Sequence, residues 1–416
     1  MIKKILAASV FNTGVLSIIN IIQFPILLTF WSAEVLGSWL LLYTIIQFFQ
    51  QVDLGFSVTI GNRSKRAQGC DDGSIGGNIS CVLVLYVVML FASLILNEMG
   101  LFSQVVELNS ENIESVNYFI LISFFILVNS INTARLRSQG YLDFAVNLST
   151  CSRVLEFTAL IFVAILELEI KAAAITLCLI KLLELYISSK KLHHLGLAVF
   201  GTYPIFDIGF FSSSVKFSIF SFSFMILNVV PIVLINNYIG TEYVAVFVIS
   251  RTIARAVIPI VNNVNLHYWE CYKVSENYSS LFKAITRNCT VNGLMMLTFL
   301  SFLGLFGEWV FSLASAGKIG IQKELLFLLS CGVLFYALWS PISGVFIVKE
   351  KSLVLALLYG ASIFLALIIF IYFDVSLTSL ALYILVSEIV MLAFSLFLLF
   401  IFWKKDGKES LLSGSR

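Results

Sequence analysis

The chain has 416 residues, 59% of them hydrophobic and 12% charged, with 38 Phe and 5 Pro. Soluble domains average roughly 45–50% apolar and about 25% charged residues, so an ordinary soluble fold, a disordered chain and a disulfide scaffold are excluded and a polytopic membrane protein remains. The formal net charge is +2, from 26 Lys+Arg against 24 Asp+Glu, so any electrostatic message lies in where the charges sit.

A bilayer core of about 30 Å needs roughly 20 apolar residues in a helix, because unpaired backbone groups cannot be left in hydrocarbon. Twelve runs of that kind follow in chain order, at 5–31, 37–60, 79–97, 116–134, 148–166, 172–190, 215–238, 243–266, 285–313, 325–348, 353–373 and 377–403. A β-barrel would show alternating segments of about 10 residues. The stretch 380–402 is instead continuously apolar, so the spans are helices. The connections are too short for a separate soluble domain. The longest polar ones are 61–78 and 191–214, and the second falls near the midpoint. The sequence therefore predicts an all-α integral membrane protein of twelve transmembrane helices in two six-helix lobes, 1–191 and 215–404, with a cytoplasmic linker at 192–214 and a cytoplasmic tail at 405–416.

Lys and Arg concentrate in cytoplasmic loops. With the N-terminus inside, 19 of the 26 Lys and Arg fall on inside ends and loops, three outside, and four within spans (Lys181, Lys216, Arg251, Arg255). One missed span would scramble that alternation, so the bias supports twelve, with both termini cytoplasmic. Met1-Ile-Lys-Lys ahead of an apolar run imitates a secretory signal peptide, but the run continues well past the 7–15 residues of a signal core and reads as the first span. None of the seven cysteines lies in a predicted external loop and none shares metal-site spacing with a histidine. No disulfide, metal or cofactor is expected.

The first span carries Pro25-Ile-Leu-Leu and the seventh Pro231-Ile-Val-Leu, with the prolines 206 residues apart, close to half the chain. An even number of spans precedes each, so the halves would be parallel repeats related by a pseudo-twofold axis along the membrane normal. Proline removes a helical hydrogen bond and permits a kink, which makes Pro25 and Pro231 candidate hinges.

A charged side chain at the bilayer centre costs at least about 2.5–3.5 kcal/mol on insertion scales and is a candidate functional residue. Lys181 and Glu184 share a face of the sixth span at i, i+3 and either neutralise one another or serve a cargo. Arg251 and Arg255, at i, i+4 in the eighth, need an anion from another helix or from a ligand. Glu388, central in the twelfth, is protonated, paired with an arginine, or a proton carrier. Arg153 with Glu156 reads as an interfacial pair, and Asp53, near the inner end of the second span, as a helix-end anchor or a gating residue. Amides such as Asn20, Gln23, Asn129, Asn132 and Asn262 either bind sugar hydroxyls or join helices. No phosphate loop, His-Glu-x-x-His or Gly-x-Ser-x-Gly motif occurs, so any transport is secondary and no enzyme chemistry is expected.

The pattern resembles the Wzx-type flippases for O-antigen and capsule repeat units, within the multidrug, oligosaccharidyl-lipid and polysaccharide exporter superfamily. The resemblance covers essentially the whole chain and rests on Phe24-Pro25-Ile-Leu-Leu-Thr before Leu36-Gly37-Ser-Trp39, on Asp53-Leu-Gly55-Phe before Arg63 and Arg66, and on Gly240-Thr-Glu-Tyr243 leading into Ser250-Arg251. It implies two lobes around a cationic cavity that move an undecaprenyl-diphosphate-linked oligosaccharide to the periplasmic leaflet of the bacterial inner membrane. Arg251, Arg255 and Lys181 would bind the diphosphate or glycan, since guanidinium groups hold phosphate bidentately. Glu388, Glu184 or Asp53 would gate or carry a coupling proton or sodium ion. A polysaccharide polymerase and a chain-length regulator are implied partners alongside the lipid bilayer, and no nucleic acid. The rival is a multidrug cation antiporter of the same superfamily, which should present acidic cavity helices.

Overall fold

The structure is a computed structural model that describes residues 2–51, 53, 55–66, 73–105, 110–197, 203–274, 278–348, 352–371 and 375–413. Residues 198–202 of the expected linker and 414–416 of the expected tail lie outside it. The described residues form helices α1 (Ile2–Phe30), α2 (Ala33–Gln51), α3 (Phe56–Arg66), α4 (Gly73–Glu98), α5 (Leu101–Val105), α6 (Ser110–Ser138), α7 (Leu142–Ile165), α8 (Ile170–His194), α9 (Ile208–Tyr238), α10 (Thr241–Arg255), α11 (Ile258–Val274), α12 (Tyr278–Ala314), α13 (Lys323–Val348), α14 (Ser352–Ile371) and α15 (Leu377–Ser413). Ten of the twelve predicted spans each fall on one of these helices. Among the described residues, seven stretches are long and apolar enough to cross a bilayer on their own, and Gly14–Phe30, Met225–Tyr238 and Ala356–Ala366 are shorter apolar stretches.

The second and eighth spans correct the reading of uninterrupted helices. The second breaks between α2 and α3, where Gly55 takes a left-handed φ of +70°. Asp53, within the break, caps the start of α3 through its side chain: its carboxylate accepts from the Ser57 amide at 3.3 Å and the Ser57 hydroxyl at 2.5 Å, and also from the Tyr86 hydroxyl. Such a cap satisfies donors that the broken helix orphans. The eighth breaks after Arg255, because the Pro259 ring would collide with the carbonyl four residues back and lacks an N–H to bond it. Its missing donor falls in the first turn of α11, where no partner is needed. The helix runs unbroken through Pro25 and Pro231. Each interruption thus lies one span after its proline, in the second span of its half.

Two compact units emerge, Met1–Val248 with Ala314–Ile319, and Ile249–Leu313 with Gly320–Arg416. In the first, α6 is the central helix, packed by α2, α3, α4 and α8. In the second, α13 packs against α11, α14 and α15. The first unit includes α9 because it packs on α2 and α3. Its start is strapped down: Arg63 Nη1 meets Asp207 at 2.6 Å, and Asp207 caps α9 by accepting from the Gly209 and Phe210 amides at 2.8 and 3.2 Å. Phe210 stacks on Phe56 with centroids 5.8 Å apart. Together with Ile60, Ile79 and Tyr86 these rings form a buried core.

Gly37, at the start of α2, lets the chain approach Thr241, whose carbonyl oxygen lies 2.0 Å from where a Cβ would sit. Overpacking of this kind costs about 1–3 kcal/mol. We expect Gly37→Val to lower the thermal midpoint and membrane abundance; an unchanged midpoint would contradict that approach. The hydrogen bond from Arg63 holds Asp207 below the usual carboxylate value of 3.8. A depressed carboxylate stabilises above its unfolded value and loses that contribution as pH falls through its folded one. Asp207→Ala is therefore expected to melt below wild type at neutral pH in detergent, with the gap closing well below pH 3.8.

Candidate functional site

The first unit has an open cavity of about 740 Å³, large enough for a substantial polar ligand. Its charged wall is built by three helices. Lys181, on α8, reaches Glu156 of α7 at 2.5 Å and Glu184 of its own helix at 2.8 Å. Arg153 meets Glu156 at 2.8 Å and donates to the Tyr43 hydroxyl at 2.7 Å. Ser152 donates to Glu184 at 2.7 Å, and Asn129 of α6 donates to its other oxygen at 3.0 Å. Glu156 and Glu184 are only 2% and 6% exposed, so neither carboxylate is left to water. Two cations and two anions close on one another and the network carries no net charge. The i, i+3 spacing makes each helical pair, and the packing of α7 on α8 joins the two pairs.

Hydroxyls and amides supply much of the remaining polar wall, among them Asn20, Gln50, Asn62, Ser130 and Thr133. Asn129 serves both roles left open by the sequence, since it lines the cavity and also accepts from Ser188 at 2.7 Å across the α6–α8 contact. Asn132 is glue: it is buried and donates to Ser188 and Ser189 at 3.1 and 2.9 Å. Asp53 lies beside this region as the α3 cap, its oxygens taken by Ser57 and Tyr86.

The second unit holds the other candidates. Glu388 is buried on α15 and accepts from the Trp339 indole N–H of α13 at 2.6 Å. Trp339 packs on Tyr359 and Tyr336 with centroids 5.6 and 5.4 Å away. Tyr336 donates to Asn262 of α11 at 3.1 Å. Arg255 stands at the broken end of α10, one helical turn after Arg251. The aromatic residues Trp339 of α13 and Tyr359 of α14 thus gather on the side of Glu388. Among the described residues, no three His, Cys, Asp or Glu side chains are grouped to hold a metal ion.

No protein-family model matches this sequence, and no curated protein matches it. Solved structures do. A multidrug resistance MATE family transporter of the MOP superfamily in an inward-facing conformation is similar over 99% of this chain and 100% of its own, with a TM-score of 0.74 at 15% identity. An outward-facing MATE transporter of the same superfamily matches over 98% and 96%, with a TM-score of 0.68 at 15% identity. A MATE structure in the bent conformation gives 0.66 at 15% identity over 98% and 97%. This chain has the MATE transporter fold. It is thus an all-α, multi-pass membrane protein with twelve spanning helices in two lobes.

Sequence reasoning missed Arg153 and Glu156 as cavity residues. Their i, i+3 spacing was the available signal, but depth alone placed them at the interface. Trp339 and Tyr359 gave no signal in a chain with 38 Phe, 15 Tyr and 6 Trp. Removing one partner from a buried ion network strands the others, at about 3–5 kcal/mol. We expect Lys181→Met to lower the thermal midpoint and Lys181→Met with Glu184→Gln to recover much of the loss, because contacting residues are not additive. Strict additivity in that cycle would show that the four charges do not act as one unit.

Proposed function

We propose that this protein is a secondary transporter, not an enzyme, that works by alternating access and carries a lipid-linked oligosaccharide across the bacterial inner membrane, with both termini in the cytoplasm. Alternating access is supported by the fold, since solved transporters that share it face inward in one structure and outward in another. The cargo reading is carried by one observation: the polar cavity of the first unit neutralises all four charges of its buried network within its own wall. An organic cation needs a carboxylate that is still available, and Glu156 and Glu184 are each committed to Lys181 or Arg153. A glycan needs amides, hydroxyls and planar polar groups that can donate and accept, and these line the space.

In this reading Arg251 and Arg255 take the diphosphate, for which guanidinium geometry is suited. Lys181 bears on the glycan together with its two carboxylates. Glu388, held by the Trp339 indole, is the coupling site for a proton or a sodium ion, and Asp53 with Glu184 completes the gating set. Pro25 and Pro231 are the bending points of α1 and α9. The two six-helix lobes, 1–191 and 215–404, are the moving bodies, and the natural partners are the polymerase and chain-length regulator that use the exported unit.

A second reading is extrusion of multidrug or toxic cations, and the comparisons lend it their weight, because the solved structures of this fold are described as multidrug resistance MATE transporters. Leaflet accessibility of the lipid-linked glycan separates the two. Cells lacking the protein should accumulate the glycan in the cytoplasmic leaflet and lose surface polysaccharide. Arg251→Ala with Arg255→Ala, at matched expression, should fail to restore either. Normal glycan export in the deletion strain, together with hypersensitivity to cationic drugs, would overturn the flippase reading in favour of the second.

A further inference from the structure

The end of α12 that the Lys and Arg distribution assigns to the cytoplasm has a surface to which the proposed transport gives no role. Lys283 and Arg287 sit at i, i+4 on an exposed face, in a crevice of about 440 Å³ shared with Phe282, Thr286, Thr290 and Val291. Among the described residues neither cation has an ion-pair or hydrogen-bond partner. The opposite side of the same turns is fully buried at Asn288 and Asn292, and Asn292 donates to Asn265 at 2.9 Å and to the Ala337 carbonyl at 3.2 Å. The cationic face is thus held outward by a helix whose other face is anchored in the core.

Helix length sets the depth of this face. The 37 residues of α12 span about 55 Å, against a hydrocarbon core of about 30 Å. From Thr290 to the exposed Trp309 is about 30 Å of helix, and a tryptophan at that distance marks the far interface. Lys283 and Arg287 then lie at headgroup level. Below them the same exposed side becomes apolar, through Val291, Leu294 and Leu297 to Leu305, which are 39%, 62%, 54% and 79% exposed.

We propose that this face binds an anionic glycerophospholipid of the cytoplasmic leaflet, with its phosphate between Lys283 and Arg287 and an acyl chain along Val291, Leu294 and Leu297. Paired basic residues at a membrane surface attract anionic headgroups. Thr286 and Thr290 donate their hydroxyl protons to carbonyls four residues back, each at 2.9 Å, so their oxygens are left as acceptors for headgroup glycerol hydroxyls. A zwitterionic lipid brings its own ammonium against two cations, and a free phosphate makes no use of the apolar stripe. The inference is independent of which cargo the transporter carries.

Native mass spectrometry of the purified full chain, titrated with phosphatidylglycerol and with phosphatidylcholine of the same acyl chains, tests it. Phosphatidylglycerol should occupy the protein about 30-fold more strongly, the effect of two basic residues at a lipid surface. Lys283→Gln with Arg287→Gln should reduce it to the phosphatidylcholine level with an unchanged size-exclusion profile, while Lys283→Arg with Arg287→Lys should keep it. Should the glutamine pair fail to fold, the wild-type preference must still weaken as salt is raised. Equal binding of the two lipids, retention by the glutamine pair, or a preference that ignores salt would overturn the proposal. So would displacement by inorganic phosphate, which would make this a simple anion site, or preferred occupancy by undecaprenyl phosphate, which would make it a cargo site.

Discussion

Charge in a hydrocarbon environment has to be neutralised by protein, and in the first unit that requirement is met by Arg153, Glu156, Lys181 and Glu184. Moving an isolated ion from water into a low-dielectric interior costs several kcal/mol even after relaxation. Coulomb attraction offsets this only when partners lie within hydrogen-bonding distance, as they do here at 2.5–2.8 Å. Meeting those distances fixes α7 against α8, and the hydrogen bonds from Ser152 and Asn129 extend the constraint through α8 to α6. The central helix of the unit is therefore located by polar contacts as much as by apolar packing. The same contacts leave a cavity whose wall is polar, with these four charges balanced and Arg137 as a further cation in the lining.

A second constraint comes from the backbone. Every helix break within a membrane exposes amide and carbonyl groups that lipid cannot satisfy. The break after α2 is closed by Asp53, which meets the Ser57 amide and hydroxyl. The break after α10 falls where Pro259 has no N–H to satisfy. Both are in the second span of their half, which adds a structural echo to the sequence echo of the two prolines. A candidate functional residue stands at each break, Asp53 within the first and Arg255 at the end of α10 before the second. Helix ends position side chains at angles that a continuous helix would not allow.

Amides divide between two tasks according to which surface they face. Asn132 and Asn265 are buried between helices and bond to serines across the contact, at 2.9–3.1 Å. Asn20, Gln50 and Asn62 face the cavity instead. The chemistry of the side chain is the same in both cases. A hydrogen bond between helices holds an element in place, and an amide that faces the cavity makes its wall polar.

Most of the architecture was legible in the sequence, because the bilayer imposes length and hydropathy on every span and cytoplasmic retention imposes alternation on Lys and Arg. Both signals are local, so twelve spans and a helical fold follow from residues read in order. The pairing of Lys181 with Glu184 was also readable, since i, i+3 neighbours meet on any helix. The joining of that pair to Arg153 and Glu156, the cage of Trp339 and Tyr359 around Glu388, and the use of Asp53 as a cap were not. Each depends on side chains brought together by packing or by a break, across 25 residues between Glu156 and Lys181 and 49 between Trp339 and Glu388. Distances over such separations are set by how helices pack, and hydrophobic periodicity carries almost none of that information in a chain whose helices are apolar on nearly every side.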